Sequence, residues 1–196
     1  MKIIFSCLLV LSLLASLSLA ATPEKKEFRL GLRGGFVNPV SNGAWLNANV
    51  LSTVLELDVK RNSRIDAGLR LGYDAFSVNT PAYIANYDLY QVGLGARYYF
   101  IERKSPETAF HTLKPYAMID GNLMLASKYR DITLNSPPTF YGLGVKVGAG
   151  LEYVFGPLSS GFVDIEYTMS SLTSSDGANT LSASGFLTAF GVRLAI

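Results

Sequence analysis

Within each strand-like stretch of this chain, every charged side chain falls on one parity of the numbering and none on the other. From Ile65 to Tyr73 the odd positions are Ile65, Ala67, Leu69, Leu71 and Tyr73, and the even ones are Asp66, Gly68, Arg70 and Gly72. A strand sends successive side chains to opposite faces, so this is a ribbon with one apolar and one polar face. A soluble sheet tolerates occasional charges at the rim of its dry face. Eight segments without an exception point to lipid, where a charge costs about 2–4 kcal/mol at mid-depth.

The eight period-two segments are bounded by turn residues. The first, Phe28 to Phe36, sets Phe28, Leu30, Leu32 and Phe36 against Arg29 and Arg33. The second, Asn49 to Lys60, sets Leu51, Thr53, Leu55, Leu57 and Val59 against Ser52, Glu56 and Asp58. Ile65 to Tyr73 is the third. In the fourth, Tyr90, Val92, Leu94, Ala96, Tyr98 and Phe100 oppose Gln91, Gly93, Gly95 and Arg97. The fifth, Lys114 to Ala126, is less regular: Ala117, Ile119, Leu123 and Leu125 oppose Asp120 and Asn122, with Met118 and Met124 on the polar side. The sixth sets Tyr141, Leu143, Val145, Val147, Ala149, Leu151 and Tyr153 against Lys146, Glu152 and four glycines. The seventh sets Val163, Ile165, Tyr167 and Met169 against Asp164, Glu166 and Thr168. The last sets Phe186, Phe190, Val192, Leu194 and Ile196 against Gly185, Gly191 and Arg193. Each is close to the ~9–11 residues that cross a bilayer at a tilt.

The first twenty residues read as a signal peptide. Lys2 is a short positive region, Ile3 to Leu17 is apolar, and Ser18-Leu19-Ala20 offers the small residues that signal peptidase reads. Cleavage after Ala20 leaves residues 21–196 as one barrel domain, and the apolar run is short for an uncleaved anchor. Cys7 is the only cysteine, so the mature chain is expected to be thiol-free, which excludes disulfides, thiol catalysis and cysteine-based zinc sites. The net charge of +2 includes Lys2, and no basic arm points to nucleic acid. Export without a helical anchor leaves a soluble secreted protein or a closed barrel in an outer membrane, and the charge-free face favours the barrel.

The connections fall near 37–48, 61–63, 77–86, 101–113, 127–138, 156–160 and 172–184. Odd-numbered ones are long and polar, while the second and sixth are tight, as expected of long outer loops and short periplasmic turns with both termini inside. The fourth departs from that rule. Its Ser105-Pro106-Glu107 looks like a helix cap with proline at the first helical position, so a short helix is expected there. Phe28, Phe36, Tyr73, Tyr98, Phe100, Tyr141, Tyr153 and Phe155 gather near segment ends, where interfacial girdles lie.

The polar parity carries Arg29, Arg33, Arg70, Arg97, Lys146 and Arg193 with Glu56, Asp58, Asp66, Asp74, Asp120, Glu152, Asp164 and Glu166. An eight-stranded barrel is just wide enough for side chains to fill it, so these charges must pair. A tight Arg61-Asn62-Ser63 loop would set Asp58 opposite Asp66, and the last hairpin would set Asp164 opposite Arg193. Arg193 is thus expected within salt-bridge reach of Asp164 or Glu166. Gly142, Gly144, Gly148 and Gly150 recur on one strand face and do not open a helix, so they read as room for Arg and Lys side chains, not as a phosphate loop. His111, the only histidine, has Phe110, Thr112 and Leu113 around it and reads as a solvated loop residue. No catalytic, cofactor or metal residue is assigned, and no enzymatic activity is expected.

Gly93-Leu94-Gly95-Ala96-Arg97-Tyr98-Tyr99-Phe100 and Gly148-Ala149-Gly150-Leu151-Glu152-Tyr153 resemble strand motifs of the OmpA/OmpX/OmpW-like and opacity-protein-like outer-membrane barrels. The end, Gly191-Val192-Arg193-Leu194-Ala195-Ile196, is similar to the signal read by the barrel-assembly machinery in Gly191, Leu194 and Ile196. It departs in its terminal Ile and in Ala189. The resemblance implies an all-β, eight-stranded up-and-down barrel, monomeric, with outer-membrane lipids including lipopolysaccharide and the assembly machinery as partners. The peptidoglycan-binding domain of some relatives is not expected. Three functions fit: a structural or surface-interaction barrel acting through its outer loops, a narrow channel for small or apolar solutes, and a lipid-modifying enzyme. The lipid A deacylases that the last would resemble use a His/Ser/acid set near the outer leaflet, which His111 does not match. Asn38 to Trp45 and Ser170 to Ser182 are small and polar, with Trp45 the large candidate anchor for a surface ligand.

Overall fold

A computed structural model describes residues 28–39, 50–60, 64–79, 84–102, 112–131, 139–156, 158–177, 180–181 and 184–196. Residues 1–20, read above as a signal peptide, and Trp45, Ser105-Pro106-Glu107 and His111 lie outside these residues. The strands are β1 (Phe28–Pro39), β2 (Val50–Lys60), β3 (Ile65–Asn79), β4 (Ile84–Tyr99), β5 (Thr112–Asp131), β6 (Phe140–Val154), β7 (Ser159–Ser174), β8 (Thr180–Leu181) and β9 (Gly185–Ala195). All neighbours run antiparallel in the order β6-β5-β4-β3-β2-β1-β9-β7, and a β6–β7 pairing closes the ring. The two residues of β8 add only a clip on Leu172 and Thr173. The barrel therefore has eight strands, as the parity of the sequence requires.

The registers fix its shape. Starting at Arg193, direct partners run through Gly31, Glu56, Arg70, Gly93, Asn122, Gly144 and Ser170. The β7 residue paired with Arg193 itself is Ser160, so the row returns ten residues (170 against 160) from where it began. That stagger gives a strand tilt of about 40° and an interior that side chains can fill.

The molecule is apolar outside and charged inside. Ile165 is 61% exposed, Leu123 and Phe190 60%, and Ile119 54%, whereas Arg97 and Arg193 are 1% exposed. An outer face of that kind is a transmembrane surface. Aromatic residues close both ends of the band. Tyr73 stacks on Tyr90 at 5.7 Å near the outer end, and Tyr98 meets Phe100 at 5.7 Å near the inner end. Tyr90 and Tyr98 are separated along one strand by about 26 Å at ~3.3 Å per residue. At this tilt that is a height of about 20 Å, so the two aromatic rows bracket most of the ~25 Å apolar band of such barrels.

Some strands run further than the alternation indicated. β3 and β4 continue to Asn79 and from Ile84, and β5 reaches Asp131. The expected outer connections at 77–86 and 127–138 are therefore shorter. Asp88 lies on the lipid-side parity of β4 and accepts a hydrogen bond of 2.7 Å from the Tyr73 hydroxyl. The strand has passed the interface there and runs into water, where a charge on that face costs little.

Candidate functional site: the filled lumen

Each strand brings its charged parity to the lumen, and shear decides which side chains meet. Among the described residues six buried cations (Arg33, Arg70, Arg97, Lys114, Lys146 and Arg193) share the interior with eight buried carboxylates (Glu56, Asp58, Asp66, Asp74, Asp120, Glu152, Asp164 and Glu166), and half-buried Arg29 joins them at the inner mouth.

Two arginines organise this network. Arg33 is hydrogen-bonded to Glu166 and lies 3.6 Å from Glu56, 3.6 Å from Asp120 and 3.7 Å from Asp164. Arg193 donates to Glu152 at 2.8 Å, to Glu56 at 3.3 Å and to the Tyr116 hydroxyl at 3.1 Å, and its guanidinium sits 3.6 Å above the Phe162 ring. Arg97 bonds Glu56 and reaches Asp58 at 2.5 Å, and Arg70 reaches Asp58 at 2.6 Å and Asp120 at 3.5 Å. At the inner mouth Glu152 also accepts from Tyr99 at 2.5 Å and from Arg29 at 3.1 Å. Charges at this depth are tolerated when they are paired, and Glu56, Asp58, Asp120, Glu152, Asp164 and Glu166 each have an arginine within 4 Å.

Two expected registers differ. Asp58 stands opposite Gly68, not Asp66, while Asp66 faces Lys60 and Glu56 faces Arg70. A slip of two residues keeps every side chain on its own face, removes the like-charge pair and sets Glu56 against Arg70. Asp164 faces Ala189, and Arg193 faces Ser160. The ion pairs of Arg193 go across the lumen to Glu56 and Glu152, and Asp164 and Glu166 are served by Arg33. For Arg193, pairing within its own hairpin was the wrong rule, because a stagger of ten residues brings distant strands to the same depth. The glycines of β6 also serve other neighbours than expected. A Cβ on Gly150 would meet the Tyr116 ring at 2.6 Å, and one on Gly148 would meet Glu166 at 2.9 Å.

The outer end of the lumen is of a different kind, and the sequence reading missed it. Val54, Leu89, Met124, Phe140, Leu172 and Leu187 are all buried there, with Tyr87 edge-on to Phe140 at 5.8 Å. Their parity, shared with the charges further in, was the available signal. At the inner end the unnoticed residues are Tyr99 and Tyr116, whose rings lie 5.3 Å apart.

Solved structures place this architecture. The outer membrane protein OprG of Pseudomonas aeruginosa superposes with a TM-score of 0.60 at 12% identity, over 90% of this chain and 98% of that one. Its fold is that of the small outer-membrane β-barrels. The N-terminal barrel domain of Pseudomonas aeruginosa OprF (TM-score 0.56, 14% identity) and Neisserial surface protein A (0.54, 17%) each match 87% of this chain and 97% of their own. No protein-family model and no curated protein matches the chain. In this barrel the eight expected girdle aromatics all face outward and are exposed. Among the described residues no group of three or more His, Cys, Asp or Glu side chains is placed to hold a metal ion.

Proposed function

We propose that this chain is an outer-membrane surface barrel whose lumen is a structural plug and whose contacts with its surroundings are made at the outer end. The observation that carries this reading is the double filling of the interior. Paired charges occupy the inner and middle depth, and Leu89, Met124, Phe140, Leu172 and Leu187 lie beyond them toward the outside. A conducting pore needs a continuous wet path, and a charge network tied from Arg33 to four carboxylates leaves little room for one. The lipid-facing belt and the fold support an outer-membrane location, with lipids including lipopolysaccharide as its immediate partners.

The experiment is single-channel recording in planar bilayers. Quiet traces, or rare flickers, are expected from the plugged barrel. Steady ohmic steps would favour the narrow-channel reading instead.

A further inference from the structure

We propose that the outer end of the lumen holds a binding site for a small monovalent cation, formed by the Asp74 carboxylate and the Ser52 hydroxyl. Both residues are buried, at 6% and 2% exposure. Asp74 Oδ2 accepts a hydrogen bond from Gln91 Nε2, while Asp74 Oδ1 and Ser52 Oγ have no hydrogen-bond partner. The two residues are direct cross-strand partners on β2 and β3, which places their Cβ atoms about 4.5–5.5 Å apart on the same lumen face. The two orphaned oxygens thus belong to neighbouring side chains on that face.

Asp74 differs from the rest of the acidic set. Glu56, Asp58, Asp120, Glu152, Asp164 and Glu166 each have an arginine within 4 Å. Asp66 stands directly across from Lys60 on one side and Arg97 on the other. The partners of Asp74 across the strands are Ser52 and Leu89, both uncharged. A buried carboxylate left in that state is strongly unfavourable, and a bound cation removes the penalty. The neighbouring residue Tyr73 reaches Asp88 at the outer girdle, so the site lies at the mouth that faces outward.

The donors define the ligand class. Carboxylate and hydroxyl oxygens suit hard cations and ammonium groups, not soft metals. One carboxylate balances one positive charge, so a monovalent ion leaves the site neutral, whereas a divalent ion would leave it charged next to Leu89. Alkali ions and a primary ammonium satisfy the same acceptors, and the test separates them.

The folded barrel in detergent micelles would be heated in sodium, potassium, methylammonium or tetraethylammonium chloride at equal ionic strength. Ligand linkage predicts that Tm rises by about 3–6 °C per tenfold increase in the cation that binds, once the site begins to fill. The rise is expected in at least one small cation, and which one distinguishes an alkali-ion site from an ammonium site. Tetraethylammonium should give none, because it is too large. Asp74→Asn keeps the shape and the Gln91 contact and should abolish the cation-specific rise, and Ser52→Ala should weaken it. Equal Tm in all four salts overturns the proposal. So does a rise that persists undiminished in both variants.

Discussion

The inner and outer parts of the lumen belong to one row of side chains per strand, yet they are held together differently. The inner part is a closed set of charges in which Arg33 and Arg193 each serve several strands. The outer part is an apolar layer of Leu89, Met124, Phe140, Leu172 and Leu187, with the single carboxylate of Asp74 beside it. Removing one member of the first leaves charges stranded, whereas trimming the second only opens space. The contrast shows how the described residues of one barrel can carry fourteen buried charges beside an apolar layer.

The largest effect should come from the charged part. Arg33→Leu strips the cation shared by Glu166, Glu56, Asp120 and Asp164, and is expected to destabilise the barrel by about 3–5 kcal/mol. Urea unfolding followed by gel mobility of the folded and unfolded forms measures it. The outer surface comes next. Ile165→Arg places a charge in the lipid belt and should cost about 2–4 kcal/mol in the same assay with lipid vesicles, while arginine in place of Phe28, at the inner girdle, should cost about 0–1 kcal/mol. Leu89→Ala tests the apolar layer, with a loss of about 2–3 kcal/mol from lost burial and the cavity left behind. The smallest effect belongs to Asp74→Asn. Without a small cation present it should change stability by less than about 1 kcal/mol, or raise it, since no ion pair is broken. If Asp74→Asn were as damaging as Arg33→Leu, the two regions would not differ as described.

Much of this was readable in the chain. The sides of β1 to β7 and β9, the outward aromatics such as Tyr73 and Tyr153, and the lumen position of Arg193 all follow from period two, because a strand leaves no third direction. Partners were not readable in the same way. Alternation specifies a face and is blind to a slip of two residues, so Asp58 against Gly68 and Arg193 against Ser160 had to come from the closed register. Strand ends were hidden as well. Asp88 breaks the pattern on β4 although the strand continues, because sheet hydrogen bonding does not stop where lipid does. The apolar outer layer was overlooked because Leu89 and Leu187 look like lipid-facing residues until their parity is counted.

The central claim is that the apolar parity faces lipid and the charged parity faces a sealed interior. Spin labels attached to single cysteines introduced at Val163, Asp164, Ile165 and Glu166, with the one native cysteine, Cys7, replaced by serine, test it most directly. The account predicts strong broadening by oxygen dissolved in the bilayer at 163 and 165, and little broadening by oxygen or a water-soluble nickel complex at 164 and 166. Ready access of the nickel complex to 163 and 165, or to both parities alike, would contradict it.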